Sequence, residues 1–109
     1  MEAKTKKDGI EFTKNTIAAE MNEDMLFADG FDGALIGYIE RAGIPSIACY
    51  DRYKCIEILA KDMSYEDAID YFYFNVVGSY VGENTPCFFT RITDGGKEDV
   101  RSELQKSGG

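Results

Sequence analysis

Apolar positions along this chain alternate between a two-residue and a three-to-four-residue rhythm, and the switches predict an order of elements. Residues 1–9 are polar and Lys-rich and are expected to fray. Ile17 and Met21 lie four apart, which predicts a short helix from Phe12 to Met21 with Thr13 as its cap. The short apolar run Met25-Leu26-Phe27-Ala28 ends at Asp29-Gly30-Phe31-Asp32-Gly33. Its two Asp-Gly steps favour turns, because Gly accepts positive φ and Asp tolerates left-handed geometry. Ala34 to Arg41 reads as a strand, with Leu35, Gly37, Ile39 and Arg41 on one face and Ile36, Tyr38 and Glu40 on the other. Ala42-Gly43-Ile44-Pro45 turns the chain into a second strand, Ser46 to Tyr50, and so short a linker makes the two antiparallel neighbours.

The rhythm then lengthens. Asp51 is a good cap for a helix from Arg52 to Lys61, where Ile56, Leu59 and Met63 form an apolar stripe widened by Cys55 and Ile58. Ser64 and Asp67 make a variant of the capping box. Tyr65, Ala68, Ile69, Phe72, Val76 and Tyr80 follow at helical steps. Tyr71 to Val77 has strand-like composition, but the cap and the periodicity favour a helix. Gly78 and Gly82 mark its end, and Pro86 prevents continuation. Cys87 to Thr93 reads as a third strand, and Lys97 to Lys106 as a weak helix before a flexible tail from about residue 105. The expected fold is α+β: a small antiparallel sheet of three to four strands packed against a two-helix hairpin, in a single domain spanning 1–109.

Composition narrows the chemistry. No segment of the sequence approaches the ~18 uninterrupted apolar residues of a membrane span, and Met1–Phe12 lacks the apolar stretch of a signal peptide. A cytoplasmic protein is therefore expected, with Cys49, Cys55 and Cys87 reduced and serving as small buried apolar groups. The net charge is −8, with acids clustered at residues 20–32 and 66–70. Ordinary solubility explains such patches, and they disfavour nucleic acid or an anionic membrane as a partner. The chain has no histidine, which removes Ser-His and Cys-His nucleophile activation and the common zinc sites. The three cysteines lack metal-ligand spacing, and neither common phosphate-binding glycine motif occurs. Asp29 and Asp32 could pair as carboxylates, but turn formation accounts for them, so no catalytic residue, cofactor or metal is expected.

Asn75 stands apart, a polar amide within the apolar run Phe72–Val77. It is expected to be buried, with fixed partners such as the backbone of Glu83-Asn84-Thr85, or else to contact a ligand. The loop Glu83, Asn84 and Thr85 follows, and the seven tyrosines exceed what one small core absorbs. The candidate binding residues are Tyr73, Asn75, Tyr80, Glu83, Asn84 and Thr85.

The segments FADGFDGALIG, YDRYKCIEIL and MSYEDAIDYFYFNVVGSYVGENTPCF resemble a family of small uncharacterised proteins encoded in tailed-bacteriophage genomes. The match covers Phe27 to Phe89, and its most specific parts are Tyr50 to Glu57 and Asp70 to Pro86. Asp70 stands where the family favours Glu, and Tyr73 where a charged residue is common. The resemblance implies a phage origin and action in the bacterial cytoplasm, and it carries no catalytic residues.

The expected function is therefore a non-enzymatic phage accessory protein that binds a host component, with inhibition of a host defence or regulatory system as its mode. The alternative is an oligomer that binds or sequesters a nucleotide signal, with Arg41, Arg52, Lys54 and Arg91 available for phosphates. The partner is a host protein or a second copy. Homodimerisation is expected because the helix predicted over Tyr65–Val81 is apolar on more than one face.

Overall fold

The computed structural model describes residues 6–92. The helix expected over Lys97–Lys106, the end of the third strand at Thr93, and the tail lie outside the described residues. The chain forms helix α1 (Lys6–Met21), strands β1 (Leu35–Arg41) and β2 (Ile44–Asp51), helices α2 (Arg52–Leu59) and α3 (Tyr65–Tyr71), a π-helical segment (Phe72–Val77) and strand β3 (Cys87–Phe89). The fold is α+β, as expected, with a mixed three-stranded sheet.

Helix α1 starts earlier than the Thr13 cap predicts. Lys6 to Gly9 already belong to the helix, and Thr13 Oγ1 donates to the Gly9 carbonyl at 3.0 Å from within it. A threonine hydroxyl can bond back to the carbonyl four residues earlier, and here that local option replaces the cap.

Strands β1 and β2 are antiparallel, and the hairpin turns on Ala42-Gly43, where Gly43 has a φ of +79° that a residue with a Cβ rarely adopts. Strand β2 begins at Ile44, earlier than expected, and so includes Pro45. The register slips between Ile39 and Arg41, opposite Pro45. The irregularity is where a proline is tolerated, since its missing N–H is then not needed by the ladder.

The third strand corrects the expected antiparallel sheet. Strand β3 runs parallel to β2, pairing Cys49 with Cys87, Tyr50 with Phe88 and Asp51 with Phe89. The reason is the connection: residues 52–86 carry two helices and return the chain to the end where β2 began, a crossover that an antiparallel pair does not need. Strand β3 is also only three residues long. The order β1-β2-β3 puts β2 in the middle, and Ser46 to Asp51 are all buried.

The helix caps read from sequence are present. Asp51 accepts from the Lys54 N–H at 3.0 Å, and Ser64 Oγ from that of Asp67 at 3.1 Å. The helix predicted to reach Val81 does not continue as an α-helix. After Tyr71 it widens into π geometry and closes with the Gly78 N–H donating to the Tyr73 carbonyl, five residues back, at 3.1 Å. A Cβ at Gly78 would lie 2.7 Å from the Phe74 carbonyl oxygen, so the closure has no room for a side chain. Ala68 and Phe72 enter the core from this stretch, whereas Tyr65 and Tyr80, assigned to the same stripe by spacing, are exposed. The expected two-helix hairpin is thus α2 followed by a shorter α3, with α1 as a third helix whose Ile17, Ala18 and Met21 pack on the same core. The core centres on Tyr50, Cys55, Ile56 and Phe72, all fully buried. Phe72 meets Phe88 edge-on, with ring centroids 5.2 Å apart, and this ties the π segment to β3.

Candidate functional site

Between the segment 26–31 and the π segment lies a groove of about 500 Å³. Its floor and walls come from Phe27, Phe31, Ile58, Leu59, Met63 and Val76. A second cavity of about 310 Å³ extends it past Val76 and Ser79 to Val81, Thr85 and Pro86. The two share Phe27, Ala28, Val76 and Ser79, so they adjoin as two parts of one channel, with polar as well as apolar lining. Asp29 and Asp62 line its first part, and among the described residues no Lys or Arg lines either part.

Three anchors hold the walls. Tyr50, fully buried, accepts from the Ala28 N–H at 2.8 Å through its phenol oxygen and pins the 26–31 segment to the sheet. Burial raises the Tyr50 pKa above its ordinary value, against a smaller opposing effect of the Ala28 bond, so the phenol stays neutral. Asn22, at the end of α1, donates through Nδ2 to the Ser46 carbonyl and to Asn84 Oδ1, each at 2.9 Å. The Asn84 carbonyl in turn accepts from the Leu26 N–H at 3.2 Å. Arg41 donates through Nη2 to the Pro45 carbonyl at 2.6 Å and to the Glu83 carbonyl at 3.1 Å. Within the loop, Gly82 has a φ of +124°, and Thr85 Oγ1 accepts from the Val81 N–H at 3.0 Å.

These contacts divide the six residues singled out from sequence. Asn84 and Thr85 hold the loop in place, and Glu83 is exposed, contributing its carbonyl to the Arg41 bond. Asn75 corrects the expectation of a buried, internally paired amide: it is exposed and faces the groove, while its expected partner Asn84 bonds to Asn22. The widened π turn sets which side chains face inward, and π-helical segments recur at functional sites. Tyr73 is half-exposed, and its hydroxyl accepts from Nε of the buried Arg52 at 2.6 Å. The Arg52 guanidinium also lies 5.3 Å from the Tyr73 ring centre. Tyr80 and Val81 are each 70% exposed and Phe74 is 81% exposed; of the three, Val81 lines the second cavity.

Asn22 and Phe74 were not among the expected residues, and Arg41 and Arg52, expected only as phosphate ligands, instead bond to carbonyls and to Tyr73. Asn22 and Asn84 are 62 residues apart, so no local pattern links them. Phe74, two residues after the buried Phe72, lies on the opposite side of the helical stretch, where its exposure of 81% is unusual for a phenylalanine. Among the described residues, no three His, Cys, Asp or Glu side chains converge as metal ligands, and no helix is long and apolar enough to cross a membrane. Comparison with protein-family models, with curated proteins and with solved structures finds no match for this chain.

Proposed function

We propose that this chain is a non-enzymatic accessory protein, of the phage class its sequence resembles, that binds a host protein in the bacterial cytoplasm and blocks a defence or regulatory system. The observation that carries the proposal is the channel formed by the two adjoining cavities, together with the unusual exposure of Phe74, Tyr80 and Val81 in the segment that follows α3. Large apolar side chains at such exposure cost solubility, and contiguous ones mark interaction surfaces. The channel fits an extended or helical segment with apolar side chains. Asp29 and Asp62 favour a Lys or Arg on that segment at one end.

The reading as a nucleotide-sequestering protein is less well supported. Phosphates need cations, and the channel carries two carboxylates and, among the described residues, no base. Arg41 and Arg52, two of the available cations, are already bonded to carbonyls and to Tyr73. The exposed Phe74, Tyr80 and Val81 also suit contact with a second copy of the chain, and light scattering on purified protein tests this: a monomer mass at high concentration refutes self-association.

The test of the main proposal compares immobilised wild type with Phe74→Asp/Val81→Asp and, separately, Asp62→Lys, in host lysate. These side chains are exposed, so the variants should fold. One host protein retained at comparable molar amounts by the wild type, and lost by both variants, is the expected result. Equal retention by all three, or by none, refutes it.

A further inference from the structure

We propose that Cys49 and Cys87 form an oxidation site, a thiol pair that closes to an intramolecular disulfide and staples β3 to the centre of the sheet. The two are register partners in the parallel ladder of β2 and β3. Directly paired residues point to the same face, and the next pair along demonstrates this: the Tyr50 and Phe88 rings lie 5.9 Å apart on the core side. Cys49 and Cys87 therefore meet on the opposite face. Neighbouring strands lie about 4.8 Å apart. That is inside the window of roughly 4.4–6.8 Å in which disulfide Cα atoms are found. Strand β3 is short and lies at the sheet edge, so it can absorb the small adjustment that closure needs. Cys55, the third thiol, is fully buried in the core and is not a register partner of either.

The two thiols have unequal roles. Cys87 is partly exposed and meets the oxidant, whereas Cys49 is buried. Burial first, and the adjacent Cys87 second, push the Cys49 pKa up to about 12, so it waits as a protonated resolving thiol. With a peroxide as oxidant, the Cys87 sulfur attacks the O–O bond, takes one oxygen as a sulfenic acid and releases water. The Cys49 sulfur then displaces that oxygen; its proton leaves with the oxygen as a second water, and the S–S bond forms. Two thiols are oxidised and one hydrogen peroxide is reduced to two waters. The bond would fix Cys87 directly behind Thr85 and Pro86, which line the groove.

The test treats the reduced full chain with hydrogen peroxide at neutral pH, then alkylates it in denaturant. One alkylated cysteine out of three and a proteolytic peptide joining Cys49 to Cys87, lost on reduction, are expected. Cys55→Ala should keep that peptide and Cys87→Ser should lose it. Three alkylated cysteines, a link through Cys55, or only intermolecular disulfides would overturn the proposal.

Discussion

Replacing Tyr73 with Phe removes one oxygen and leaves the ring in place. That oxygen accepts from Nε of Arg52, a guanidinium only 3% exposed, at 2.6 Å. A hydrogen bond to a charged group contributes roughly 1.5–3 kcal/mol, and a buried charge stripped of a partner retains its desolvation penalty. Tyr73 is itself 42% exposed, so water can partly replace the lost oxygen. The expected cost is therefore at the lower end, about 1.5 kcal/mol, which for a domain of this size lowers Tm by roughly 6–12 °C. The ring contact with the guanidinium, at 5.3 Å, survives the substitution, so the loss reports the hydrogen bond rather than the stacking. The assay is urea unfolding followed by circular dichroism, run as a double-mutant cycle. In an Arg52→Met background the Tyr73→Phe cost should fall close to zero, because the donor has gone. Phe74→Ala, next door but 81% exposed, should change stability by no more than about 0.5 kcal/mol. A Tyr73→Phe cost below about 0.5 kcal/mol, or one undiminished in the Arg52→Met background, would refute the reasoning.

Other substitutions probe the remaining joints. Gly78→Ala forces a methyl against the Phe74 carbonyl and should cost about 1–3 kcal/mol in thermal unfolding, with the π closure disturbed. Asn22→Ala severs the bonds to Ser46 and Asn84, and faster amide exchange at Leu26 should accompany a loss of about 1–3 kcal/mol. Burial pushes the Cys55 pKa from 9.0 up to about 12, so above pH 9 the unfolded chain gives up this proton more readily than the folded one. Stability from this thiol is complete below pH 9 and is lost as pH rises toward 12. Cys49 shifts in the same direction, so a urea-midpoint profile should decline over this range, and Cys55→Ala should make it shallower by about 1–2 kcal/mol at pH ~10.5.

Much of the local architecture was legible before any coordinates. The capping roles of Asp51 and Ser64 follow from short side chains whose oxygens reach an N–H three residues on, and both bonds are present. The apolar stripe of α2 follows from the helical period, and Cys55 and Ile56 are fully buried where it places them. The site was legible only as a region. The Gly82–Pro86 loop and the stretch around Asn75 do border the groove, yet Asn84 and Thr85 turn out to be its fasteners and Asn75 an exposed polar group facing it.

By itself the sequence determined features whose cause lies within a few residues: the two caps, the hairpin turn at Gly43, the end of the long helical stretch at Gly78, and the lack of histidine chemistry. The tertiary structure decided features that depend on partners distant along the chain. The direction of β3 was one, because it is set by where the two-helix crossover returns the chain. The exposure of Tyr65 and Tyr80, which helical spacing puts on the same stripe as the buried Ala68 and Phe72, was another, because the core reaches only the middle of that stretch and the π turn alters the phase after it. The pairing of Cys49 with Cys87 was a third, 38 positions apart in sequence and side by side in the ladder. Hydrogen bonds and packing between such residues form only once the chain has folded, and no local pattern of apolar and polar positions encodes them.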